Sequence, residues 1–107
     1  MAQLEMIAKF QGVKGAVLGD LDGAFLDAVR EPNGESIAAE MGFLSASLLE
    51  VGESLGLGTL GTVALAGAAH ASLVVVRGQQ VITARVEPVK ALPLVEKSVE
   101  NSFQEWT

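Results

Sequence analysis

Gly56-Leu57-Gly58-Thr59-Leu60-Gly61 matches the G-x-G-x-x-G pattern of dinucleotide-binding loops, and its surroundings decide how it is read. That fingerprint holds a pyrophosphate where a strand comes first and a helix follows, because the phosphates dock on the N–H groups exposed at the helix start. Here the order is inverted: a long helical pattern runs up to Leu55, and a strand-like run begins near Thr62. The glycines therefore read as a helix C-cap and turn, and no nucleotide cofactor is expected from them.

The helix that precedes this turn, residues 36–55, carries the strongest periodicity in the chain. Ile37, Met41, Leu44, Leu48, Val51 and Leu55 recur at steps of three or four, which puts them on one face at about 100° per residue, and this stripe is expected to contact the core. Glu40, Ser47, Glu50 and Ser54 gather opposite, as a solvated side should. Between them lies a third stripe of mostly small residues: Ala38, Gly42, Ser45, Leu49, Gly52 and Gly56. An interior glycine costs a helix roughly 1 kcal/mol relative to alanine, so Gly42 and Gly52 imply a compensating benefit, and the close approach of another backbone supplies one.

Working outward, residues 62–66, 72–77 and 81–86 read as three strands joined by hairpin-sized connections, Gly67-Ala68-Ala69-His70-Ala71 and Gly78-Gln79, and hence as antiparallel neighbours. Val74, Val75 and Val76 are consecutive, and apolar residues on both faces imply a sheet covered on both sides. Pro88 ends the last strand, and Leu92, Val95, Val99, Phe103 and Trp106 outline a final amphipathic helix, with Pro93 tolerable in its first turn. Toward the N-terminus, Leu4, Ile7, Ala8 and Gln11 suggest a short helix closed by Gly12. Residues 13–18 form a strand, Asp22-Gly23 a tight turn, residues 24–30 the returning strand, and Glu31-Pro32-Asn33-Gly34 a loop.

Composition bounds the function. At 107 residues the chain is read as one domain, 1–107, with a single core. Its longest apolar stretch, residues 63–76, is broken by Gly67, His70 and Ser72, short of the roughly 18 uninterrupted residues a membrane span needs. Glu5 and Lys9 likewise interrupt the place of a secretory apolar region, so a cytoplasmic protein is expected. The absence of cysteine removes disulfides, thiol nucleophiles and thiolate metal sites. A net charge of −6 with seven scattered basic residues argues against a nucleic-acid partner.

The order α-β-β-α-β-β-β-α is where a family resemblance arises. Gly12-Val13-Lys14-Gly15-Ala16-Val17-Leu18, followed by Asp20-Leu21-Asp22-Gly23, resembles the opening of roadblock/LC7 domains, and the likeness continues through the central helix and its Leu55-Gly56-Leu57-Gly58 end to the helix after Pro88. The resemblance implies an α+β fold of the profilin/longin type: a five-stranded antiparallel sheet with one long helix on one face and the terminal helices on the other. It also implies a homodimer in which central helices pack side by side and third strands pair. On that pattern Ala38, Gly42, Ser45, Leu49 and Gly52, with Thr62, Val63, Ala64 and Leu65 of the strand, form the dimer interface. Members are non-enzymatic adaptors, and bacterial ones partner a Ras-like small GTPase in motility and polarity. The expected partners are thus a second copy, a Ras-like GTPase or a paralogous roadblock protein. The alternative is a scaffold subunit of a larger hetero-complex that does not touch a GTPase.

Candidate chemistry is sparse. No G-x-x-x-x-G-K-[ST] is present to cradle phosphates, so the chain could act on a GTPase but not as one. Arg30, Arg77 and Arg85 are the only arginines that could be donated as a finger, and each also suits a strand end. His70 has no second histidine or cysteine for a metal set, and Ser72 has no oriented base. Asp20 and Asp22 fit a turn better than a calcium loop. Phe25, Leu26 and Asp27 on the second strand, and Glu40, Ser47, Glu50 and Ser54 on the central helix, are the candidate partner-binding residues, although Phe25 and Leu26 equally suit a covered sheet.

Overall fold

The computed structural model of the protein describes residues 2–56, 62–66 and 70–102. Along the chain these form α1 (Ala2–Ala8), β1 (Val13–Asp20), β2 (Phe25–Val29), α2 (Gly34–Ser54), β3 (Thr62–Ala66), β4 (Ala71–Arg77), β5 (Gln80–Val86), a 3-10 turn (Val89–Ala91) and α3 (Leu92–Ser102). The order is the expected one, with boundaries moved by one or two residues. Gln11 falls in the turn after α1, whereas the apolar spacing places it in the helix. Phe103 and Trp106 of the expected last helix, and Leu57 to Gly61 of the glycine string, lie outside the described residues. Gly56 itself has φ +71°, the left-handed conformation of a helix C-cap, and α2 ends two residues before it.

The five strands form one antiparallel sheet in the order β2-β1-β5-β4-β3. Two hairpin units, β1–β2 and β3–β4–β5, are joined by β1 pairing with β5, so β2 and β3 are left as the edges. The sheet is covered on both sides, as its consecutive valines require. Leu73, Val75, Ile82, Ala84 and Val86 point to one face and pack with Leu4 and Ile7 of α1 and Val95 and Val99 of α3. Val74, Val76 and Val81 point to the other and pack with Met41 and Leu49 of α2. Alternation along each strand thus divides an apolar run between two layers.

Two local devices hold the two ends of the β1–β2 hairpin. Asp20 Oδ1 accepts hydrogen bonds from the Asp22 N–H at 2.9 Å and the Ala24 N–H at 3.0 Å, so this carboxylate shapes the β1–β2 turn. Arg30, at φ +54°, sends its Nη2 to the Ala8 carbonyl at 2.6 Å and its Nε to the Lys14 carbonyl at 3.3 Å, tying the end of β2 to the end of α1.

The rotation of α2 is offset by about a quarter turn from the one its periodicity suggests. Ala38, Gly42 and Ser45, the small stripe, are buried against the sheet and the β1–β2 turn. A Cβ on Gly42 would lie 2.6 Å from the Asp20 carbonyl oxygen, and one on Gly19 would lie 3.0 Å from the Ala38 Cβ. The bulky stripe assigned to the core is turned aside: Ile37, Met41, Leu44 and Leu48 are half-buried, and Val51 and Leu55 are 53% and 67% exposed. The helix axis comes so close to β1 and the turn that only small side chains fit between.

Candidate functional site

Two observations orient the surfaces of α2. Ala39 and Gly42 lie against Gly23 of the β1–β2 turn, so that flank faces β2. Ile37 and Met41 line a cavity of about 320 Å³ together with His70, Ser72, Thr83 and Arg85, so the other flank looks over β5 and β4 toward β3. Leu44, Leu48, Val51 and Leu55 continue this second flank at helical spacing. Beside it, Val63 and Leu65 stand opposite Val74 and Ser72 in the β3–β4 pairing and share their face of the sheet. The result is an apolar wall and floor toward one border of the sheet, with Leu65 41% exposed and the outer edge of β3 unpaired among the described residues.

The small-residue lane proposed for the dimer does not reach this surface. Ala38 and Ser45 are 4% and 1% exposed and Gly42 is buried, so these three contacts are made within the protomer and none is left for a second subunit. Leu49 packs with Val74, Val76 and Val81, and Gly52 is half-buried. Thr62, Val63, Ala64 and Leu65 do lie on an edge strand, as the pairing expectation requires.

Of the candidate partner-binding residues, Glu40, Glu50 and Ser54 are exposed and Ser47 is half-buried, all along the outer side of α2. Phe25, Leu26 and Asp27 are exposed on β2, and the register explains how. Gly19 pairs with Phe25 and Leu18 with Asp27, so Leu26 is an extra residue bulged from the edge. Phe25 turns toward α2, where a Cβ on Gly34 would come 2.7 Å from its ring.

The arginine-finger reading weakens on geometry. Arg30 is committed to backbone carbonyls, as described. Arg85 Nε lies 3.1 Å from Glu31 Oε2, an ion pair whose angle gives no hydrogen bond, and its Nη1 donates to Glu87 Oε2 at 3.3 Å. The Glu31 carboxylate, 7% exposed, is a polar element of the cavity that spacing did not single out; a lone acid before a proline carries no sequence signal. Phe43 was also missed, although it is the one large apolar residue among Glu40, Ser47 and Glu50 on the wheel, and that misplacement is the signal. Among the described residues no cluster of His, Cys, Asp or Glu could hold a metal ion, and no helix is long and apolar enough to cross a membrane.

A five-stranded antiparallel sheet with one long helix on one face and the terminal helices on the other is the architecture that the roadblock/LC7 resemblance implies. The chain superposes on the roadblock/LC7 domain from Streptomyces avermitilis with a TM-score of 0.70 at 15% identity, over 94% of this chain and 92% of that one. It is similar to MglB of Myxococcus xanthus with a TM-score of 0.84 at 17% identity, over 99% of this chain and 89% of that one. The gliding protein MglB of Thermus thermophilus matches at 0.71 and 18% identity, over 89% and 78%. No protein-family model matches the sequence, and no curated protein matches it either. The chain has the roadblock/LC7 fold and resembles bacterial MglB.

Proposed function

We propose that this chain is a single-domain, non-enzymatic cytoplasmic adaptor that self-associates as a homodimer and binds a Ras-like small GTPase or a paralogous roadblock protein, so acting in cell polarity or gliding motility. The observation that carries the reading is an apolar stripe of α2 that the sheet does not fully cover, Leu44 and Leu48 half-buried and Val51 and Leu55 exposed, together with β3 standing at the border of the sheet among the described residues. A two-fold contact uses one patch from both subunits, and this patch offers both a helix flank and a strand edge. Its residues are Leu44, Leu48, Val51 and Leu55 together with Thr62, Val63, Ala64 and Leu65, which replaces the small-residue lane. An apolar edge strand left bare would template aggregation, and pairing with a twin removes that hazard. The outer side of α2, with Glu40, Ser47, Glu50 and Ser54, then remains for the GTPase. Likeness to MglB, named a gliding protein in Thermus, supports the motility setting.

The test is sedimentation at micromolar concentration, followed by binding of the Ras-like GTPase encoded nearest this chain in its genome, loaded with GDP or a GTP analogue. The expected result is a dimer that binds one nucleotide state preferentially, and phosphate release then separates activator from adaptor. A lone protomer, or a GTPase that binds in neither state, overturns the proposal.

A further inference from the structure

Phe43 is 76% exposed, more than any other large apolar side chain among the described residues. Neither the sheet nor the dimer stripe accounts for it. The sheet-facing side of α2 is occupied by Ala38, Gly42 and Ser45. At 3.6 residues per turn, Phe43 lies roughly 80–140° around the helix from Leu44, Leu48, Val51 and Leu55. A helix laid against that stripe therefore leaves Phe43 on the outer shoulder.

The neighbours of Phe43 give this shoulder a shape and a sign. Ser36, Ala39 and Ser47, one or two turns away on the same side, are small, so the ring stands above them. Glu40 and Glu50 flank it; both are exposed, and neither is ion-paired among the described residues. No lysine or arginine occurs anywhere in α2. An aromatic knob on a small-residue floor with an unneutralised acidic rim matches the anatomy of an interface hot spot, in which an apolar anchor is buried and rim charges steer and orient the partner. The same charges repel anionic lipid headgroups and nucleic-acid phosphates.

We propose that Phe43 is the anchor through which the chain grips its GTPase, inserting into an apolar recess bordered by lysine and arginine side chains. This deepens the proposed function and rests on it. The outward side of α2 thus selects a partner surface that is basic around an apolar hollow, and loss of the ring costs affinity without touching the fold or the self-contact.

Calorimetric titration of the GTPase named above into wild type, Phe43→Ser and Glu40→Lys/Glu50→Lys, at low salt and at 0.3 M salt, tests the proposal, with sedimentation and thermal unfolding of each variant alongside. Phe43→Ser should weaken binding by about thirtyfold or more while remaining folded and self-associated. The charge reversal should weaken it chiefly at low salt, because salt screens exposed charges. Wild type that binds while Phe43→Ser binds within a factor of two overturns the anchor and leaves the proposed function standing. Phe43→Ser that sediments as a protomer assigns the ring to a second copy and also overturns it. Wild type that fails to bind overturns the proposed function and the anchor together.

Discussion

Gly42 concentrates the difference between a pattern and its cause. Its missing side chain marks a close approach, as the helix-propensity argument requires, but the approaching backbone belongs to the chain's own Asp20–Gly23 turn. Sequence spacing does not distinguish that turn from a twin helix, because both contacts need the same absent Cβ. Replacing Gly42 with alanine should improve intrinsic helix propensity by roughly 1 kcal/mol yet lower net stability by about 2 kcal/mol, since the turn must yield. Urea unfolding measures this directly, and a Gly42→Ala protein as stable as wild type would show that the turn gives way freely. Asp20 was legible for the opposite reason. An aspartate two residues before Asp22-Gly23 has a local use, and its hydrogen bonds to the Asp22 and Ala24 N–H groups are made within the same turn.

At the scale of elements, α2 was readable in its extent and unreadable in its rotation. Periodicity placed a helix over residues 36–55, and the structure has one over Gly34–Ser54. Hydrophobicity then favoured the bulky stripe as the buried one, which holds where a helix has a single apolar side. Here both sides are apolar, and the choice falls to clearance: β1 presents Gly15, Val17 and Gly19 toward α2, and an Ala38 or Gly42 fits where a Leu44 would not. The proposed self-contact therefore draws on positions the fold itself does not need. Val51→Glu and Leu55→Glu, both on exposed positions, should leave unfolding temperature within a few degrees of wild type while weakening self-association by at least tenfold. Sedimentation equilibrium reads the second effect; a large drop in thermal stability of the protomer would instead place these residues in its core.

For the whole molecule, the sheet's membership was visible and its closure was not. Hairpin-length connections and turn residues set β1 beside β2 and β3 beside β4 beside β5, because each pairing is local. The β1–β5 pairing that unites the two groups spans most of the chain and has no short-range signature. It alone decides that β3 and β2 become the borders, and therefore where partners can add. The two borders are not equivalent. β3 keeps an uninterrupted register with β4 from Thr62 to Ala66, whereas β2 carries the displaced Leu26 between Phe25 and Asp27. Deletion of Leu26 should restore even spacing on β2, and light scattering should then report species larger than a dimer.

That displaced leucine sets a limit on stoichiometry. If two chains join through β3, the combined ribbon terminates at both ends in a strand whose hydrogen-bonding groups fall out of step by one residue, so a third chain finds no regular ladder to extend. In that arrangement a single surplus residue at the rim acts as a stopper against polymerisation.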